Sequence, residues 1–300
     1  MRAEKTAIYG ADVLPSLALV YPQLYLVPGT GDAALYDDIV LRGAEPPRRS
    51  LGHFHLDAGD SLVYESTPAG EVPVITLRRR EDFELFLQIM ACRCTRKPIP
   101  RTQGASTLDG VINWTRIRAH KEQFLRTNGE DADWESEFDR FTANKANYRD
   151  VLIVLSEGPY SAVSAERAGY PESEWLGISH AIRKTHECTH VMCRRMFPEL
   201  IDAVWDELVA DAAGVTAALG RYDRHLAELF LGIEDGRYVG GRLENYVKDG
   251  DDRQQRLDAL ARKIHETLLR FETIAAEPDA AQPYDLAIRL EGEIECWKQP

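Results

Sequence analysis

No apolar run in the chain reaches the ~20 residues that a membrane-spanning helix needs. The segment "VLPSLALVYPQLYLV", from Val13 to Val27, is broken by Pro15 and Pro22, and the "MRAEKTAIYGAD" before it is no clean signal-peptide start. The expectation is a cytoplasmic protein without a membrane partner. Paired C-x-x-C spacing is also missing. The five cysteines, Cys92, Cys94, Cys188, Cys193 and Cys296, are an odd set that argues against a disulfide framework and for reduced thiols. Positive charge is in short supply. Against 49 acidic residues stand 36 basic ones, a net charge of −13 that repels phosphate backbones and makes nucleic acid an unexpected partner. The basic clusters "LRRRED" and "CRCTRKPIPR" are short and flanked by acids or prolines, as solvated faces are. No internal repeat or low-complexity stretch is present.

Hydrophobic residues make up 44% of the 300 and charged ones 28%, the balance of a globular protein with a sizeable core. The fold class expected is α+β, with a mixed α/β N-terminal lobe over residues 1–150 and a mainly helical lobe over residues 151–300 that carries the catalytic site. In the first lobe, "AIYG", "LVYPQLYLV", "SLVYES" and "VPVITL" are β-prone runs, and "EDFELFLQIMA" is a helix after Arg80. Residues 99–125 read as a Gly-punctuated loop turning helical. A charged helix over Trp134 to Ala146 and a buried strand, "DVLIVLS", complete the half. From Pro171 the chain turns to helices, and Pro198 marks the first turn of the second long one.

Within the first of these helices, "THECTHVMCRRMF" holds His186-Glu187-Cys188-Thr189-His190, an H-E-x-x-H pattern. Residues four apart share one face of a helix, so both imidazoles can converge on one ion while Glu187 addresses a water. The alternative is an ordinary polar turn of helix. Against it, Trp175, Ile178, Ile182, Thr189, Cys193 and Met196 recur at spacings of three and four, and His186 falls on that core-facing stripe. Buried histidines need partners, and a metal supplies one. The next helix repeats the anomaly. Leu200, Val204, Leu208, Val215 and Leu219 form an apolar face, with Glu207 and Asp211 along the same side. Carboxylates are rarely buried without an ion or a donor, so Glu207 becomes a third metal ligand and Asp211 the acceptor for the second N–H of a ligating histidine.

"HECTH" followed by "DELVAD" resembles the gluzincin, thermolysin-like zinc metallopeptidases, over about 30 residues from Thr185 to Gly214. The resemblance implies His186, His190 and Glu207 as Zn²⁺ ligands, Glu187 as general base and Asp211 as the partner of a ligand histidine. The residue before Glu207 is Asp206, where thermolysin-like enzymes commonly carry asparagine.

Three protein ligands and an open fourth position make a catalytic rather than a structural zinc site. Zinc would lower the pKa of its water and Glu187 would take the proton during attack on a carbonyl. An oxyanion donor is also needed, and Tyr222, His225, Tyr238, Arg242 and Tyr246 follow the ligand helix, with the Gly-rich "DGRYVGGRLENY" the best segment to carry it. Of these, Arg242 and Tyr246 are the residues chosen. Tyr160 to Val163 read as an extended piece after Gly158-Pro159 that lines the cleft, and "GVINW" as another neighbour of it. His53 and His55 in "GHFHLD" alternate as on a strand, but no further ligands complete a second site. The expected activity is a zinc-dependent hydrolase acting on a peptide or amide bond. A metal-dependent biosynthetic enzyme, zinc- or iron-based, on a small molecule or modified peptide is the competing expectation, since two histidines and a carboxylate also suit non-haem iron. A non-catalytic, metal-stabilised binding protein is the third. Oligomeric state is not legible.

Overall fold

A computed structural model describes residues 6–199 and 202–298. The architecture is α+β, and the chain divides into two compact units, Met1–Tyr64 with Pro73–Ser156 and Glu65–Val72 with Glu157–Pro300.

Most of a five-stranded sheet lies in the first unit. Its strands are β1 (Ile8–Tyr9), β2 (Ser61–Thr67), β3 (Gly70–Leu77), β4 (Ala105–Ile112) and β5 (Arg149–Ser156), in the order β1-β2-β3-β5-β4. The β1–β2 and β4–β5 pairs are antiparallel and β3–β5 is parallel. Flanked on both edges, β5 buries every residue from Leu152 to Ser156, which is why its sequence is a continuous apolar run. The helices are α1 (Val13–Val20), α2 (Tyr36–Arg42), α3 (Arg80–Met90), α4 (Trp114–Asn128) and α5 (Trp134–Ala143). Phe83, Phe86, Leu87 and Met90 recur at helical spacing along α3 and pack with Leu14, Ile75 and Val154 into one core.

Three sequence expectations fail here, each for a physical reason. "LVYPQLYLV" holds no strand. The apolar run starts earlier, and Val13, Leu14, Leu17 and Ala18 are buried on one face of α1, with Pro15 in the first turn, where its missing N–H is not needed. A 3₁₀ turn over Pro22–Tyr25 follows. Residues 99–125 contain β4 as well as α4. Its register slips between Leu108 and Val111, and Gly110 takes φ +76°, so a bulge disguised the strand as a loop. "GHFHLD" is a turn: His53 Nε2 lies 3.0 Å from the Leu24 carbonyl, whereas His55 Nδ1 lies 2.8 Å from Asp82 Oδ1.

The second unit contains α6 (Ala165–Ala168), α7 (Glu172–Met196), α8 (Ala203–Leu219), α9 (Arg224–Leu231), a two-stranded ribbon of β6 (Ile233–Glu234) and β7 (Arg237–Tyr238), α10 (Arg253–Ala275), α11 (Pro283–Glu291) and α12 (Ile294–Trp297). Acids in the first turn of α7, Glu172 and Glu174, and Arg194 and Arg195 in its last, complement the helix dipole. Helix α8 starts later than Pro198. Asp202 caps it, accepting from the amides of Val204 at 3.0 Å and Trp205 at 2.9 Å, a stronger start signal than the proline. The stripe on α7 is buried apart from Ile178, which is half-buried, and Met196 at its end, 38% exposed. Leu200 lies outside the described residues.

Helices α7 and α8 pack more closely than side chains normally allow. Ala210 and Gly214, one turn apart on α8, are small and buried, as are Ala212 and Ala213 between them. A Cβ placed on Gly214 would meet the Ile182 carbonyl oxygen at 2.7 Å. Replacing Gly214 by Ala gains roughly 1 kcal/mol in helix propensity, but forcing a methyl against backbone costs about 1–3 kcal/mol. Since the obstruction is a carbonyl and not a flexible side chain, the second effect wins. We expect Gly214→Ala to lower the urea unfolding midpoint; a variant more stable than wild type would mean that the helices separate freely.

Candidate metal centre

The close approach sets His186 and His190 on α7 against Asp206, Glu207 and Asp211 on α8. Both histidines are buried, at 4% and 5% exposure, and their Nε2 atoms face each other at 2.9 Å. Glu207 supplies Oε2 at 3.6 Å from the His186 Nε2 and Oε1 at 3.7 Å from the His190 Nε2. These residues are the one group of three or more possible ligands found among the described residues, with donor atoms within 4.8 Å of one another. A tetrahedral zinc with bonds of 2.0–2.1 Å has ligand atoms about 3.3 Å apart. The two nitrogens are somewhat closer than that, and the two Glu207 oxygens, one facing each ring, somewhat farther, so small side-chain shifts fit the donor set to a small divalent cation.

The hydrogen bonds behind the donors decide whether the Nε2 lone pairs are free. Tyr160 donates its single proton to Asp211 Oδ1 at 2.6 Å. His186 Nδ1 lies 2.9 Å from the same carboxylate oxygen and 2.8 Å from the tyrosine hydroxyl. Burial alone would raise the Asp211 pKa, but Arg242, His186 and Tyr160 outweigh it and hold the carboxyl at about 2, so it can only accept. His186 must therefore carry its proton on Nδ1, leaving Nε2 as a lone pair aimed into the cluster.

His190 has its own carboxylate. Its Nδ1 lies 2.8 Å from Asp206 Oδ2, a contact too bent for a straight hydrogen bond but strong as an ion pair. Burial pushes the His190 pKa down; the close Asp206 carboxylate and the charges of Glu207 and Glu187 push it up harder, to about 9. Without a metal, His190 is thus an imidazolium whose Nε2 proton sits between the two rings. A proton occupies the place for which the three donors are shaped.

The remaining residues are distributed unevenly around this core. Glu187, half-buried and next to His186, is absent from the donor group, although its charge reaches His190. Arg242 pairs with Asp211, and its Nη1 lies 3.2 Å from the Tyr160 hydroxyl and 3.5 Å from Glu207 Oε2, so the guanidinium mainly balances the buried Asp211 and the half-buried Glu207. Tyr246 stands beside Glu207, and burial, then that carboxylate, keeps its hydroxyl protonated. Tyr222 is buried with its hydroxyl unpartnered among the described residues. His225 is exposed on α9, and Tyr238 holds its own loop through the Gly241 backbone. Cys188 is buried, which pushes its thiol up to about 12 and leaves it inert. "GVINW" and the His53/His55 pair belong to the first unit, apart from the cluster's unit.

The roles of two members of the centre escaped the sequence, which placed Tyr160 only as a cleft-lining residue. Tyr160 lies on a 3₁₀ turn over Tyr160–Ala162 and not on an extended edge, with Ser161 and Ala162 at φ +49° and +58°. The turn is fastened to α7 by the Tyr160 amide, which donates to Ser179 Oγ at 3.0 Å, and by Trp175 Nε1, which donates to the Val163 carbonyl at 2.8 Å. Only "GPYS" hinted at a turn. Asp206 was visible in sequence as a departure from asparagine, but its contact with His190 was not.

A family model matches residues 19–289, and the chain belongs to that family, described as a family of unknown function (DUF7005). No curated protein and no solved structure matches the chain.

Two measurements test the centre. In metal-free protein the raised His190 pKa contributes stability below the unfolded value of about 6.5, and this is lost as pH rises through about 9. Zinc needs the imidazole deprotonated, so the rise in melting temperature on adding zinc should grow over the same window. A zinc increment independent of pH from 6.5 to 9 would remove His190 from the ligand set. Second, Asp211→Asn should weaken metal affinity, read by chelator competition, by about 10–100-fold; unchanged affinity would reduce Asp211 to a partner of Arg242 alone.

Proposed function

We propose that the protein is a zincin-like, zinc-dependent hydrolase acting on a peptide or amide bond. The observation that carries this reading is the placement of Glu187. Three donors converge from two helices, and Glu187, the carboxylate next in sequence to His186, is not among them. His186, His190 and Glu207 would hold the ion, which when bound supplies Lewis acidity and acidifies water.

The chain's own residues account for the rest. Glu187 accepts a proton from the attacking water and returns it to the leaving amine, the two proton transfers that amide hydrolysis requires. Tyr246, kept protonated by burial and by Glu207, offers a neutral O–H to an oxyanion. Asp211, Tyr160 and Arg242 lock the tautomer of His186, and Asp206 orients His190. The same two histidines and one carboxylate also suit ferrous iron, so a biosynthetic, oxygen-dependent reaction is the second reading.

Wild type and Glu187→Gln, each with zinc or ferrous iron, are incubated with a mixed peptide library and products followed by mass. We expect zinc-dependent products carrying one added water. In Glu187→Gln, turnover should fall ~10²–10⁴-fold with metal content retained. For Tyr246→Phe the expected loss is about 10²–10³ in kcat. Cleavage undiminished in Glu187→Gln would take that residue out of the mechanism, and products formed only with iron and oxygen would favour the second reading.

A further inference from the structure

A second concavity in the helical unit takes no part in the metal centre. Its volume is about 390 Å³, within the ~300–1,000 Å³ of small-molecule sites. One long face of α10 forms one wall, and α12 with Trp205 of α8 forms the other. The floor is aromatic. Trp205 lies 5.2 Å from Phe271 and 5.9 Å from Trp297, ring centre to ring centre.

The rim carries three basic side chains against two acidic ones, the reverse of the chain's overall balance. Arg262, Lys263 and Arg270 line the pocket on α10. Lys263 Nζ sits 4.5 Å over the Trp297 ring, which fixes that cation at the aromatic wall. Arg262 and Arg270 are exposed, and neither makes an ion pair or hydrogen bond with any described residue. Of the two acids on the rim, Glu293 is engaged by Arg289 at 3.1 Å, leaving Glu266 to offset a single charge. In a protein of net charge −13, with 36 basic side chains against 49 acidic, these two guanidiniums have no carboxylate partner among the described residues and stand beside an aromatic floor, where an anion with an apolar body finds both of its partners. Eight residues of helix separate them by about 12 Å, a span across which two arginine side chains can close on one anionic group.

We infer that this pocket binds a small organic anion, an aromatic or other apolar body joined to a carboxylate or phosphate. The body lies against Trp297 and Trp205, and Arg262 and Arg270 hold the anionic group through charge-assisted hydrogen bonds. The site is independent of the hydrolase reading, since none of its residues belongs to the metal centre. Cys296, an exposed thiol on the pocket rim, provides a built-in reporter.

The experiment measures alkylation of Cys296 by iodoacetamide, read by peptide mass, together with calorimetric titration of the full chain. The probes are AMP and 1-naphthoate, with adenosine, 1-naphthylmethanol and inorganic phosphate as partial counterparts. We expect AMP or 1-naphthoate to bind with Kd below ~1 mM and to slow alkylation, and each counterpart to bind at least about tenfold more weakly. Whichever of the two binds more tightly identifies phosphate or carboxylate as the anionic group. Arg262→Gln with Arg270→Gln, both exposed and unpaired positions, should weaken binding about tenfold or more without changing the melting temperature, and Glu266→Gln should tighten it. No binding by either anion, equal binding by the neutral counterparts or by phosphate alone, or undiminished binding in the double variant would each overturn the inference.

Discussion

The contact of Gly214 with the Ile182 carbonyl is the constraint on which the second unit turns. It admits no side chain between α7 and α8, so the two helices meet backbone to backbone one turn before His186 and one turn after Asp211. Side chains at the contact ordinarily hold packed helices 8–10 Å apart, and a glycine removes the side chain from one of the two. Here His186 Nδ1 and Asp211 Oδ1 meet at 2.9 Å. The small residues of α8 are thus as much a part of the centre as its ligands.

Closeness creates an electrostatic problem that the cluster solves in layers. Asp211 is 1% exposed, and an isolated buried carboxylate is very costly. It is met by Arg242, Tyr160 and His186 at once. Asp206 and Glu207 face a protonated His190, with Arg194 at 4.0 Å from Asp206. The arrangement balances around one mobile positive charge between the two imidazoles, which a proton or a divalent cation can supply.

The parts of this centre legible in sequence were those set by helical spacing. His186 and His190, four apart, and Glu207 and Asp211, four apart, declare a shared face through periodicity alone. What stayed hidden depends on contacts that periodicity does not encode. Tyr160 reaches Asp211 across 51 residues and Arg242 across 82, from a turn whose left-handed residues, Ser161 and Ala162, are not the usual glycine or asparagine. The same division holds in the fold. Helix α3 and strand β5 announce themselves by period and burial, whereas β4 is masked by a bulge and α1 by two prolines that suggest punctuation. The family assignment covers almost the whole chain without attaching a chemistry, so the chemical reading rests on the centre itself.

The short connection between α7 and α8 gives the centre one more property. All three donors come from consecutive helices, and His190 and Glu207 are 17 positions apart, 207 minus 190. An ion held between them is a cross-link closing a loop of that size. In the chain-entropy picture of such links, a loop of this length is worth about 3 kcal/mol, and nearly all of it acts on one helical hairpin. Loss of the ion would therefore be felt as fraying at the joined ends of α7 and α8, with amide exchange quickening there, while the sheet of the first unit keeps its protection.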